Sequence, residues 1–75
     1  MELRDFIEKF REQFDETDPG EIIADTYFKE LDEWGSLKGL LIMAMVSDEY
    51  GKQIKAEDIR KADTVEDLFN IVNAL

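Results

Sequence analysis

The segment 33-EWGSLKGL-40 decides how this chain is read. It sets Ser36, one of only two serines, between a glycine and the start of an apolar run. Gly35 or Ser36 can cap a helix there, and Leu37, Leu40, Leu41, Ala44 and Met45 then fall on one face. Tyr50-Gly51-Lys52 supplies the stop, with glycine suited to the left-handed turn that ends many helices. Adding Ile42, Met43 and Val46 makes this helix apolar nearly all round. Such a helix is central to a fold or offers part of its apolar surface to something else.

Upstream, Leu3, Phe6, Ile7, Phe10 and Phe14 recur at three- and four-residue steps, which predicts a first amphipathic helix over Glu2 to Asp15. Asp15, Glu16 and Asp18 oppose the dipole at its end, and Pro19-Gly20 prevents continuation. A long connection follows, with Ile22, Ile23, Tyr27, Phe28, Leu31 and Trp34 expected to tuck under the helices and a short helical turn expected near Ala24 to Leu31. Connections of that length in small domains usually serve a purpose. Downstream, Ala56 to Lys61 reads as a short helix, with Glu57 and Asp58 early and Arg60 and Lys61 late, both suited to the dipole. Thr64 with Asp67, or Asp63 with Glu66, resembles a capping box that opens a last helix whose Val65, Leu68, Phe69 and Val72 face inward. The expected fold is all-α: a single domain over residues 1–75, a small four-helix bundle with a long loop between helices 1 and 2 and a short third helix.

Composition excludes several functions. A 75-residue chain buries only roughly 60% of its unfolded surface and has no room for a large active-site cavity. The absence of cysteine and histidine removes disulfides, thiolate metal sites, the usual general base and the commonest zinc ligand. Asp15 to Thr26 loosely matches a calcium loop with Gly20 at its sixth position, yet Thr17, Pro19 and Thr26 stand where oxygen-rich ligands are needed. No metal site is expected. Met1 is followed by an acid-rich segment with no secretory pattern, and the longest apolar run, Leu40 to Val46, is far short of the ~20 residues that span a bilayer. The expectation is a soluble, cytoplasmic monomer with no membrane span.

Nineteen acids against nine bases give a net charge of −10, which repels nucleic acid and favours basic protein surfaces. Residues 1–33 carry −8 of that charge and residues 34–75 carry −2. A nucleophilic Ser36 would need a base to take its proton; no histidine exists, and nothing marks the nearby Lys38 as a neutral amine. The chain is therefore not expected to be an enzyme. Ser36 instead occupies a helix start, where free N–H groups and the dipole favour a phosphate on its oxygen, added by another enzyme. The plainer reading makes Ser36 only a cap.

These features in order resemble the acyl carrier protein family over nearly the whole chain: an amphipathic first helix, a long loop, an aromatic residue before Gly35-Ser36-Leu37, a second helix ending in Asp48-Glu49-Tyr50-Gly51, a short third helix, and Thr64-Val65-Glu66-Asp67-Leu68. The resemblance implies that Ser36 carries 4′-phosphopantetheine, donated by coenzyme A, and that the arm's thiol holds acyl or aminoacyl groups as thioesters, as in fatty acid biosynthesis. It also implies two kinds of partner, a phosphopantetheinyl transferase and acyl-transferring or acyl-modifying enzymes with basic docking surfaces. Gly35 stands where the family usually has aspartate, and helix 2 is less acidic than is usual there. Leu37, Leu40, Leu41 and Met45 are accordingly the candidates for partner contacts, with core packing as the plainer reading of each. Trp34 is expected to close the core beside helix 2, or to mark the mouth of an acyl pocket. The competing expectation is an unmodified acidic helical protein-interaction module.

Overall fold

In the computed structural model, which describes residues 1–75, the apolar periodicities become four α-helices and two 3-10 turns, with no strand. Helix α1 spans Leu3–Arg11 and buries Phe6 and Phe10. It stops short of the expected Asp15. The chain tightens after Arg11, with Gln13 N–H donating to the Phe10 carbonyl (3.1 Å) and Phe14 N–H to that of Arg11 (3.0 Å). Tightening of this kind is a common way to satisfy the last carbonyls of a helix. Phe14 still reaches the core, stacked on Phe10 with ring centroids 5.3 Å apart.

The connection from α1 to the next α-helix is organised by short turns. Pro19–Glu21 forms the first 3-10 turn, where Asp18 Oδ1 accepts the Gly20 N–H at 2.8 Å. Within the region expected to hold a helical turn, the second 3-10 turn occupies only Phe28–Glu30. Ile22 and Phe28 are fully buried beneath this connection. The carbonyls of Thr26 and Ala24 accept the N–H groups of Val65 and Glu66, so the connection itself satisfies donors that a helix start leaves free.

Helix α2 spans Ser36–Tyr50, and Gly51 ends it in the left-handed conformation (φ 64°) with its N–H donated to the Ser47 carbonyl. Its buried face is Gly39, Ile42, Met45 and Val46. This face differs from the one read along the sequence. Helix α3 spans Ala56–Lys61 and buries Ile59, and the Asp58 carboxylate takes the Lys55 N–H at its start (2.8 Å). Helix α4 spans Val65–Asn73 and turns Val65, Leu68 and Val72 into the core. Phe69 is half-buried and meets Phe6 edge-on at 5.6 Å. Of the two capping boxes the sequence offers, the one at Thr64 forms. Thr64 Oγ1 accepts the Asp67 N–H at 3.1 Å, and Asp67 Oδ2 accepts the N–H groups of Thr64 and Asp63. Those two backbone donors hold the Asp67 carboxyl below its ordinary value.

All four helices contribute to one core of 14 buried hydrophobic residues, with no polar or charged residue in it. An aromatic series runs from Phe6 through Phe10 to Phe28 and Trp34, the last pair meeting edge-on at 5.0 Å. Aromatic pairs in such geometry add ~0.5–1.5 kcal/mol beyond the area they bury. No helix is long and apolar enough to cross a membrane.

Candidate functional site

The site is built on the residues just before α2. Trp34 stacks on Phe14 (6.4 Å) and sets its edge against Phe28, so the core itself fixes the chain one residue before Gly35. Gly35 is the N-cap of α2, in fully extended backbone (φ 179°, ψ −173°), and its carbonyl accepts the Gly39 N–H at 3.0 Å. Ser36 is therefore the first helical residue and not the cap. Its side chain is exposed, and its hydroxyl has no hydrogen-bond partner within the protein. A capping role would have occupied that oxygen with a backbone N–H.

Glu33 and Lys38 bracket this serine. Glu33 Oε2 accepts the Asp15 N–H (2.9 Å), and Oε1 accepts the Glu16 N–H (3.1 Å) and the Thr17 hydroxyl (2.7 Å). Lys38 Nζ lies 3.1 Å from Glu33 Oε2 and donates to the Gln13 carbonyl at 2.8 Å. Desolvation pushes the Glu33 carboxyl up, but hydrogen bonds from Thr17, Asp15, Lys38 and Glu16 outweigh it and hold the group at about 2. The clasp ties the end of α1 to the start of α2. It also engages Lys38, the amine two residues along the chain from Ser36, in an ion pair and a carbonyl hydrogen bond.

An open groove of about 570 Å³ lies beside Ser36, between α2 and α3. Trp34, Leu40, Met43 and Ile59 give it an apolar lining, and Lys29 and Arg60 also border it. Such a volume falls within the range of small-ligand sites, about 300–1,000 Å³. The lining from α3 and Lys29 could not be read along the sequence, because these segments meet there only through the fold. A second recess, about 310 Å³, is lined by Glu16, Thr17, Glu21, Leu31, Asp32 and Glu33. It overlaps the stretch compared with a calcium loop, where Asp18 Oδ1 accepts the Gly20 N–H at the start of a 3-10 turn.

The four residues expected to contact partners do not share one environment. Leu37 and Leu40 are 67% and 60% exposed, Leu41 is half-buried, and Met45 is 5% exposed. Met45 is thereby removed from any docking surface, because its side chain belongs to the core. On a helix apolar nearly all round, periodicity alone could not separate Met45, a core residue, from the exposed Leu37 and Leu40. Asp48 and Glu49 are exposed at the far end of α2; before them the helix carries no acid.

Comparison with protein-family models, curated proteins and solved structures gives no match.

Proposed function

We propose that the chain is a carrier protein of the acyl carrier type, a substrate for enzymes and not itself an enzyme. Ser36 is the attachment point. Its hydroxyl oxygen would form a phosphodiester with the 4′-phosphopantetheine portion of coenzyme A, the nucleotide portion leaving and the proton passing to a base on the transferase. When bound, the arm supplies a thiol that holds acyl or aminoacyl groups as thioesters.

The observation that carries this reading is the state of Ser36: an exposed, unpartnered hydroxyl at the first position of a 15-residue helix, set on a segment pinned by Trp34 and Glu33. The same features that prevent self-catalysis suit modification by another enzyme. Leu37 and Leu40 project beside the hydroxyl as apolar contacts, with Leu41 partly accessible, while the acid-rich first half of the chain steers basic partner surfaces toward it. The groove next to Ser36 gives apolar cargo a place to shelter. The finer fold description, a carrier-like bundle with a long first loop and a short third helix, belongs to this reading, as do a monomeric state and a cytoplasmic location.

Incubation with coenzyme A and a broad-specificity phosphopantetheinyl transferase, followed by mass spectrometry, tests the assignment. The adduct is expected on Ser36, and Ser36→Ala is expected to abolish it while retaining the helical circular dichroism of the parent. An adduct on Ser47, or a protein purified from its native cell without any adduct, would leave the acidic interaction module as the better description.

A further inference from the structure

Four of the nine cationic side chains in the chain pair with a carboxylate: Lys9 with Glu49, Arg11 with Glu8, Lys38 with Glu33 and Lys61 with Glu57. Lys29 and Arg60 have no such partner, and both border the groove that Ser36 also borders. Ten residues line this groove and none is acidic, in a chain with 19 acids among 75 residues. The groove is thus a cationic exception on an anionic protein. Lys29 Nζ donates to the carbonyls of Ile59 (3.2 Å) and Arg60 (2.9 Å), which brings the second 3-10 turn against the end of α3, where Arg60 borders the same groove. The Arg60 side chain is exposed and makes no hydrogen bond within the protein. A basic residue in the last turn of α3 suits the helix dipole, but Lys61 meets that need too. The dipole does not account for a groove without acids.

We infer that Lys29 and Arg60 hold the phosphodiester that joins the arm to Ser36, and so direct the arm over the apolar lining of the groove. The inference rests on the reading of Ser36 given above. Attachment at Ser36 fixes one anionic group beside the groove, the phosphodiester. A chain of net charge −10 repels that group and pushes the arm outward, unless local cations offset the field. Arginine is suited to the task because its planar fork can give two N–H donors to neighbouring phosphate oxygens. Lys29 contributes charge from a fixed place, since its carbonyl partners hold it. The two act as positioning residues and take no part in the transfer of cargo.

The test uses the full chain modified by coenzyme A and the transferase, as wild type, Arg60→Gln and Arg60→Lys, with mass spectrometry to establish full modification of each. Phosphorus NMR reads the phosphodiester directly, and the Arg60 Nε–H cross-peak reads the guanidinium. The wild-type phosphorus resonance is expected to differ from that of Arg60→Gln, with Arg60→Lys between them. Modification should shift the wild-type Arg60 Nε–H signal. Raising ionic strength from about 0.01 M to about 1 M, which shortens the Debye length from ~30 Å to ~3 Å, should move the wild-type resonance toward that of Arg60→Gln. Complete modification with the same phosphorus resonance in all three proteins overturns the clamp and leaves the carrier reading standing. Failure of every protein to take up the arm overturns both.

Discussion

Glu33 and Lys38 meet across the start of α2, Oε2 to Nζ 3.1 Å apart, with Ser36 in the chain between them. Both side chains are nearly covered, at 13% and 12% exposure, and each reaches back to the segment that follows α1. The pair is thus less an isolated surface ion pair, which is worth little, than the centre of a clasp with three further donors on Glu33. Its consequence for the site is that Ser36 starts its helix from a fixed base.

The clasp predicts an acid-dependent loss of stability. The Glu33 carboxyl is held at about 2 against an ordinary value of 4.5. Because the folded value lies below the unfolded one, the ionised group stabilises the fold fully above about pH 4.5, and this contribution disappears as pH falls through about 2. Glu33→Gln should be less stable than wild type at neutral pH. The difference should shrink as pH is lowered through that window, since the parent then loses the charge that the variant lacks. Urea unfolding of both proteins at a series of pH values measures it, and a gap that does not change with pH would exclude the charge as its source.

Opposite faces of α2 should respond to truncation in opposite ways. Leu40→Ala, on the exposed side, should change stability by no more than about 0.5 kcal/mol. Met45→Ala, in the core, should cost ~2–5 kcal/mol. Transferase kinetics invert the order for the folded proteins: Leu40→Ala should reduce kcat/KM about tenfold, equivalent to ~1.4 kcal/mol of lost contact. Equal kcat/KM for Leu40→Ala and wild type would show that the exposed leucines do not touch the transferase.

Gly35→Asp should be accepted by the fold. The backbone at Gly35 is extended, and a Cβ there would meet nothing within 4 Å. A carboxylate at the N-cap should stabilise α2 by ~0.3–1 kcal/mol through the dipole. It should also speed modification by a general transferase, by restoring the acid that usually precedes the serine in the family the chain resembles. Rates measured at equal protein concentration decide the point. Slower modification would mean that a dedicated partner requires the glycine.

Tyr50 offers a stabilising change. Its hydroxyl is buried without a hydrogen-bond partner, and its ring packs against Phe6 at 6.0 Å. Desolvation, reinforced by Asp5 and Glu49, raises the phenol above its ordinary value. Tyr50→Phe keeps the ring and removes the unsatisfied group, so stability should be unchanged or higher by up to about 1 kcal/mol. A clear loss in urea unfolding would indicate a partner for the hydroxyl, such as a buried water.

By itself the sequence determined the helical class, the stop at Gly51, a capping box opening the last helix, and the position of Ser36 at a helix start. These are local matters. Capping, turn formation and the burial pattern of a strongly amphipathic helix depend on residues a few positions apart, as Phe6 and Phe10 in α1 illustrate. Only the tertiary structure decided which side of α2 is buried, because a helix apolar nearly all round satisfies several rotations and the choice falls to the core that Ile42, Met45 and Val46 share with residues such as Phe6 and Phe10. It also decided the end of α1, where Glu33 draws Asp15 and Glu16 out of helical pairing across 17 to 18 residues of chain. The groove beside Ser36 belongs to the same class. Lys29 and Arg60 lie 31 residues apart, and nothing in a local pattern says that they come together until the packed core brings their segments into contact.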